Sequence, residues 1–327
     1  MRAVQAPEPG GSEALQILEI ERPEPAAGEV LIRVAAAGLN RADILQAAGF
    51  YPPPAGESDT LGLEVSGHIE AIGEGVEGWH PGDRVMALLS GGGYADFVVA
   101  PAGQVVAVPE RVDLVPAAGF METFATVWSN VFMTAGLKAG QRLLVHGGSS
   151  GIGTTAIALA KQVGAEVFVT VGSERKAQAC RDLGADVVID YRDEDFSAVL
   201  KSHGGADVIL DIIGAKYLAQ NIAALATGGH MVVIGMQGGV KAELNLAALL
   251  AKRGSITATS LRARPVAEKA EIVGSLVEHV LPQLATGELA PIIDSTFAFD
   301  DVAAAHDYLK ASAHIGKVVL LVDPDLR

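Results

Sequence analysis

The segment His146-Gly147-Gly148-Ser149-Ser150-Gly151-Ile152-Gly153 constrains this chain more than any other. It follows the apolar run Leu143-Leu144-Val145 and opens onto the helical sequence Thr154 to Lys161. Strand, glycine turn and helix, in that order, turn backbone N–H groups and a helix N-terminus toward a phosphate. The glycines answer three demands: a tight turn, close backbone approach to a pyrophosphate, and close packing of helix on strand. Glycine alone would say little in a chain that has 38 of them. The flanking strand and helix carry the inference.

The sequence after about Pro116 alternates strands with short helices. Strands are expected at 166–171, 186–190, 207–211, 230–234 and 256–259, helices at 174–183 and 194–202, and a long helix at 266–285. That rhythm demands parallel pairing with crossovers, hence an α/β fold with a doubly wound sheet. The first 118 residues read differently. Runs at 30–34, 67–72, 84–88 and 94–99, punctuated by Gly and Pro, suggest an antiparallel barrel or sandwich-like unit. The tail has a short helix near 298–306 and a last strand at 317–322 that can return to the first domain. The expected division is 1–118 with 289–327 as one domain and 119–288 as the other.

A length of 327 residues accommodates two cores. Lys and Arg total 24 against 39 Asp and Glu, a formal charge of −15 that disfavours nucleic acid and anionic membranes as partners. No apolar stretch is long enough to span a bilayer, and Met1 to Pro7 lack the apolar core of a signal peptide. A cytoplasmic protein is the expectation. The single cysteine, Cys180, excludes an internal disulfide and any multi-cysteine metal site.

Gly62-Leu63-Glu64-Val65-Ser66-Gly67, Gly73-Glu74-Gly75-Val76, Gly82-Asp83-Arg84-Val85, Tyr94-Ala95-Asp96-Phe97 and Gly316-Lys317-Val318-Val319-Leu320 occur in the order seen in the medium-chain dehydrogenase/reductases. The chain resembles that family over nearly its whole length, which implies a GroES-like catalytic domain beside a Rossmann domain. Zinc-dependent members carry a cysteine where this chain has Asn40 and a Gly-His-Glu where it has Gly62-Leu63-Glu64. Catalytic zinc needs at least three good protein ligands, so no metal site is expected. Asn40-Arg41-Ala42-Asp43, Tyr51 and Pro52-Pro53-Pro54 resemble the zinc-free NADPH:quinone oxidoreductases related to zeta-crystallin. Gly147-Gly148-Ser149-Ser150 departs from the Ala-rich loop of many of them, which leaves substrate identity open. The glycine loop also resembles that of short-chain dehydrogenases, but no tyrosine here has a lysine four positions later.

The cofactor expected is NADPH. NAD-specific Rossmann sites end the second strand on an acid that holds the ribose; here Val171-Gly172-Ser173-Glu174-Arg175-Lys176 offers a glycine in its place. Lys176 and Ser173 can take an adenosine phosphate, and Tyr191 fits the family's remaining contact. The alternative is a solvated first helical turn, in which Glu174 favours the helix dipole. The loop residues Gly148, Ser149, Gly151, Ile152 and Gly153 would clamp the pyrophosphate. Met236, in Gly235-Met236-Gln237-Gly238, follows a strand at the sheet's carboxyl edge. From the resemblance alone, Thr126, Leu261, Arg264 and Lys317 are cofactor-side contacts; helix packing or plain solvation is the other reading of these positions.

Asn40 and Tyr51 are the catalytic candidates. Negative charge develops on the oxygen of a quinone or activated alkene during reduction, and polar donors stabilise it. Asn40 either supplies its amide there or satisfies a turn; Tyr51 either bonds the acceptor or anchors a loop. The resemblance implies reduction of a small-molecule quinone, with an NADPH-dependent 2-alkenal or enoyl reductase and a non-catalytic NADPH-binding protein as the alternatives. The strand-like 255–260 resembles the edge by which the family pairs two Rossmann sheets, so a homodimer is expected.

Overall fold

The computed structural model describes residues 1–326 and divides into two compact units. One comprises Met1–Ala125 together with the segment from Leu261 onward; the other is Thr126–Ser260.

The second unit holds a six-stranded parallel sheet in the order 187–190, 166–171, 142–146, 206–211, 225–233, 255–258. The central strands Arg142–His146, Glu166–Val171 and Ala206–Asp211 are apolar runs buried on both faces, as a parallel sheet covered by helices requires. The chain winds outward from Arg142–His146 through Glu166–Val171 to Val187–Asp190, then restarts on the other side with Ala206–Asp211. That reversal places the glycine loop at a topological switch point, where doubly wound sheets take their ligands. Its core packs Leu144, Phe168, Ile189, Phe196, Leu200, Ile209, Leu225 and Met231.

The first unit is mostly antiparallel. Its seven-stranded sheet runs 293–298, 317–321, 29–38, 64–72, 84–88, 105–107, with Phe97–Pro101 also paired to Glu29–Gly38. The C-terminal strand Lys317–Leu321 joins antiparallel to Glu29–Gly38, Val319 opposite Gly38, so the tail completes the sheet begun at the N-terminus. Arg2–Gln5 and Gln16–Glu19 form a separate hairpin. The α/β class with a second, β-rich domain is thus the observed one.

Several local expectations are corrected. The long helix at 266–285 is two, Val266–His279 and Leu281–Thr286, because Pro282 lacks the N–H needed to continue the ladder. It groups with the first unit, packing on the Ala102–Gln104 turn and on Val105–Ala107. The strand expected from Tyr94 begins at Phe97; Ala95 makes only an isolated bridge to Ala3. The strand Ile293–Ala298 was not anticipated, and the helix that follows is Val302–Lys310.

Candidate functional site

The glycine loop is shaped by contacts that admit no side chain. A Cβ on Gly153 would lie 2.4 Å from the Gly147 carbonyl and Gly148 backbone, and one on Gly148 would strike Val169 at 2.5 Å. Gly147 itself needs φ +73°. Ser150 caps the helix Gly151–Gln162: its Oγ accepts from the Gly153 amide at 3.0 Å and donates to the Gly147 carbonyl at 2.8 Å. Behind the loop lies a buried polar relay that sequence reading missed. His146 contacts Thr170 Oγ1 (3.1 Å) and Asn221 Oδ1 (2.7 Å), and Thr170 Oγ1 accepts from the Gly147 amide at 3.3 Å. Burial pushes His146 down to about 4, so its ring is neutral.

The end of Glu166–Val171 forms a second cluster in the same unit. A Cβ on Gly172 would meet the Tyr191 hydroxyl at 2.4 Å, so the glycine lets the half-exposed Tyr191 ring lie against the backbone. Ser173 caps the helix Glu174–Asp182, its Oγ accepting from the Lys176 amide at 3.4 Å. Burial, then the neighbouring Arg175, hold the Lys176 ammonium below its usual range, an environment that an anion would relieve. Glu174 pairs with Arg181 at 2.7 Å, two turns on along the same helical face. These residues fit a phosphate-bearing nucleotide. Thr126 is buried, its carbonyl accepting from the Asn130 side chain at 2.7 Å. Met236 is 58% exposed beyond the strand Leu225–Val233.

Leu261, Arg264 and Lys317 belong to the first unit. Leu261 is buried, and Arg264 lies 3.5 Å from Glu268 one helical turn on. Lys317 is buried at the centre of a polar network. Its ammonium donates to Leu39 O, Asn40 Oδ1 and Glu64 Oε1, each at 2.7 Å. Asn40 donates its amide back to Glu64 Oε1 (3.0 Å), and Glu64 Oε2 accepts from the Glu122 backbone N–H (2.9 Å). Asn40 also caps the helix Arg41–Ala47 through a capping box with Asp43. The same residue thus opens a helix and bonds the buried Lys317 and Glu64.

Two further acids adjoin this network. Asp43 Oδ2 accepts from the Tyr94 hydroxyl (2.8 Å) and from the Asn40 backbone N–H (2.7 Å); burial raises its carboxyl to about 6. Glu122 is half-buried as a residue, but its Oε2 is enclosed with no hydrogen-bond partner. Burial, and then the charge of Glu64, push it up to about 8, so it is protonated at neutral pH. Sequence reading missed Glu122, whose one signal is an acid inside the otherwise apolar and small run Phe120 to Val127.

Tyr51 is half-buried, with the Arg262 guanidinium 5.4 Å from its ring centroid. Arg262 and Lys269 were also missed. Lys269 had a legible signal, since it falls on the buried stripe Lys269, Ile272, Val273, Leu276 of its helix. Among the described residues, no group of three or more His, Cys, Asp or Glu is placed to hold a metal ion. No described helix is long and apolar enough to cross a membrane.

Two family models match. Residues 26–110 fit the alcohol dehydrogenase GroES-like domain, and 151–277 the zinc-binding dehydrogenase domain. The quinone oxidoreductase of Rattus norvegicus is 30% identical over 328 residues, covering 98% of both chains. The chain also matches, at 32% identity, a polyketide synthase subunit of Mycobacterium tuberculosis, of which it spans 15% of the length. The quinone oxidoreductase of Escherichia coli complexed with NADPH superposes with a TM-score of 0.88 at 27% identity, covering 98% of this chain and 100% of that one. The JamJ enoyl reductase gives 0.88 at 26%, covering 98% and 99%.

Proposed function

The chain belongs to the zinc-free, quinone oxidoreductase-like medium-chain dehydrogenase/reductases, and from that premise we propose that it reduces quinones with electrons from NADPH. The observation that carries the reading is the network around Asn40. Positions that present metal ligands in zinc-dependent relatives hold Asn40 and Leu63 here, and the Lys317 ammonium bonds Asn40 and Glu64. The acceptor then meets the Asn40 side chain, whose amide donates to Gly38 O and Glu64 Oε1 in its absence, and the Tyr51 hydroxyl. Bound NADPH supplies hydride. Gly148, Ser149, Gly151, Ile152 and Gly153 hold the pyrophosphate at the helix N-terminus. Ser173, Lys176 and Tyr191 would receive the adenosine phosphate, with Thr126 and Met236 as further contacts in the same unit.

The preference for NADPH is supported by Gly172 in place of an acid and by Glu174 being engaged with Arg181. Lys176→Ala should cut the preference of NADPH over NADH by about tenfold, or about 1.4 kcal/mol, in fluorescence titrations; an unchanged ratio would sink this assignment. The catalytic test follows NADPH absorbance with p- and o-quinones, 2-alkenals and enones. Turnover of quinones is the expected result, and turnover of alkenals alone would favour the enoyl reductase reading, which the JamJ similarity supports.

A second copy of the chain is the expected partner. Ser255–Ala258 is the last strand of its sheet, and Leu246 and Leu250 of the preceding helix are 69% and 78% exposed. An open edge beside apolar side chains suits sheet-to-sheet pairing. A monomeric mass by light scattering at micromolar concentration would argue against it.

A further inference from the structure

Two cations in the first unit are enclosed without a counter-charge in contact. Arg262 and Lys269 are each 2% exposed. Arg262 donates from Nε to Ser90 O (2.7 Å), from Nη1 to Tyr51 O (3.2 Å) and from Nη2 to Gln46 Oε1 (2.8 Å). Lys269 donates to Ser90 Oγ, which in turn donates to Arg262 O at 3.4 Å. Every acceptor is neutral. Among the described residues, no carboxylate lies within ion-pair distance of either cation.

Removing a cation from water is costly unless an opposite charge repays it. Here two share one serine, in a chain whose formal charge is −15. The acids that reach them act only through space. Asp43, Glu57 and Glu122 act on Arg262, and Glu57 and Glu122 on Lys269. Asp43 is engaged by Tyr94 and Asn40, Glu57 is exposed, and Glu122 is protonated at neutral pH. Asp43 keeps a negative charge at neutral pH and offsets part of that of Arg262 from beyond ion-pair distance, which leaves two cations against one distant carboxylate. The remaining positive potential lies beside Tyr51, whose backbone carbonyl and ring both touch Arg262.

We propose that Arg262 and Lys269 form a fixed positive floor beneath Tyr51 that selects acceptors whose oxygen becomes negative on reduction, Arg262 also positioning the Tyr51 loop. The chemical class is a conjugated carbonyl that becomes a quinolate or enolate, and the inference rests on the reductase reading above. When such a carbonyl accepts hydride from NADPH, its π electrons move onto oxygen; water supplies the proton that completes the product, and NADP⁺ remains. Neither cation touches the acceptor. Their action is electrostatic preorganisation, strongest where water is excluded.

The probe is 4-nitrophenol, an aromatic oxyanion when ionised, whose two forms are told apart by visible absorbance. The wild-type protein, without cofactor, should bind the ionised form more tightly than the neutral one. Arg262→Gln and Lys269→Met should each lower affinity for the ionised form by about tenfold, with neutral-phenol and NADPH binding unchanged. Arg262→Lys should restore the charge preference even though it cannot hold both Tyr51 and Gln46, which separates a field from a brace. Equal binding of the two forms by the wild type, or a preference that survives both charge-removing variants, overturns the inference. A wild type that prefers the phenolate yet oxidises NADPH with no quinone or enal overturns the reductase reading instead.

Discussion

The two units build their polar sites in opposite ways. In the parallel unit, the cap and turn contacts of residues 147–153 come from within the loop, and the adjacent strand adds Val169 and Thr170 against Gly147 and Gly148. In the β-rich unit, Leu39, Asn40 and Glu64 converge from distant parts of the chain on the buried Lys317 ammonium, and the Glu122 backbone N–H joins the network through Glu64. A local site tolerates change elsewhere but not in its own backbone. A convergent site depends on charge balance, so its members are coupled.

The largest expected effect tests that coupling. Lys317→Met leaves Glu64 buried without its cation and should destabilise the protein by about 3–5 kcal/mol in urea unfolding. Adding Glu64→Gln should recover much of the loss, since both charges are then gone. Independent, additive effects would show that the site is not convergent in energy.

A pH series separates the units next. His146 has a folded-state value near 4 against an ordinary 6.5. Its neutral form is favoured by folding, so stability is full above pH 6.5 and falls by about 3 kcal/mol as pH drops toward 4. Glu122 works in the reverse sense. Raised from 4.5 to about 8, it contributes fully below 4.5 and loses that contribution as pH rises toward 8. Unfolding free energies of His146→Gln should flatten the acid limb, and those of Glu122→Gln the rise-of-pH loss. Identical pH curves for the two variants would erase the distinction.

Smaller still is Gly153→Ala. The added methyl meets backbone at 2.4 Å and cannot swing aside, so about 1–3 kcal/mol of strain is expected. NADPH affinity should fall by about tenfold or more in a fluorescence titration. Unchanged affinity would mean that the loop adapts more easily than its packing implies.

The same contrast explains what was legible in advance. The strands of the parallel sheet and the glycine loop were read within a few residues, because apolar periodicity and turn chemistry are short-range. Asn40 and Tyr51 are singled out by the resemblance and not by local pattern. Asp43, Tyr94, Glu122 and Arg262 carry little signal in their own surroundings, and their character arises from burial beside one another. Lys269 was legible as a charge on an apolar helical stripe and was passed over.

By itself the sequence determined an α/β chain with a glycine-rich turn between strand and helix, a β-rich partner unit, and a glycine at the end of the second strand of the parallel unit. Each of these follows from residues within a few positions of one another, where sterics and hydrogen bonding act directly. Only the tertiary structure decided that Lys317 bonds Asn40 and Glu64, that burial raises the Glu122 carboxyl, and that Arg262 and Lys269 are enclosed among neutral acceptors, Arg262 against Tyr51. Those properties depend on desolvation and on charges brought together from distant parts of the chain, and no linear pattern specifies either.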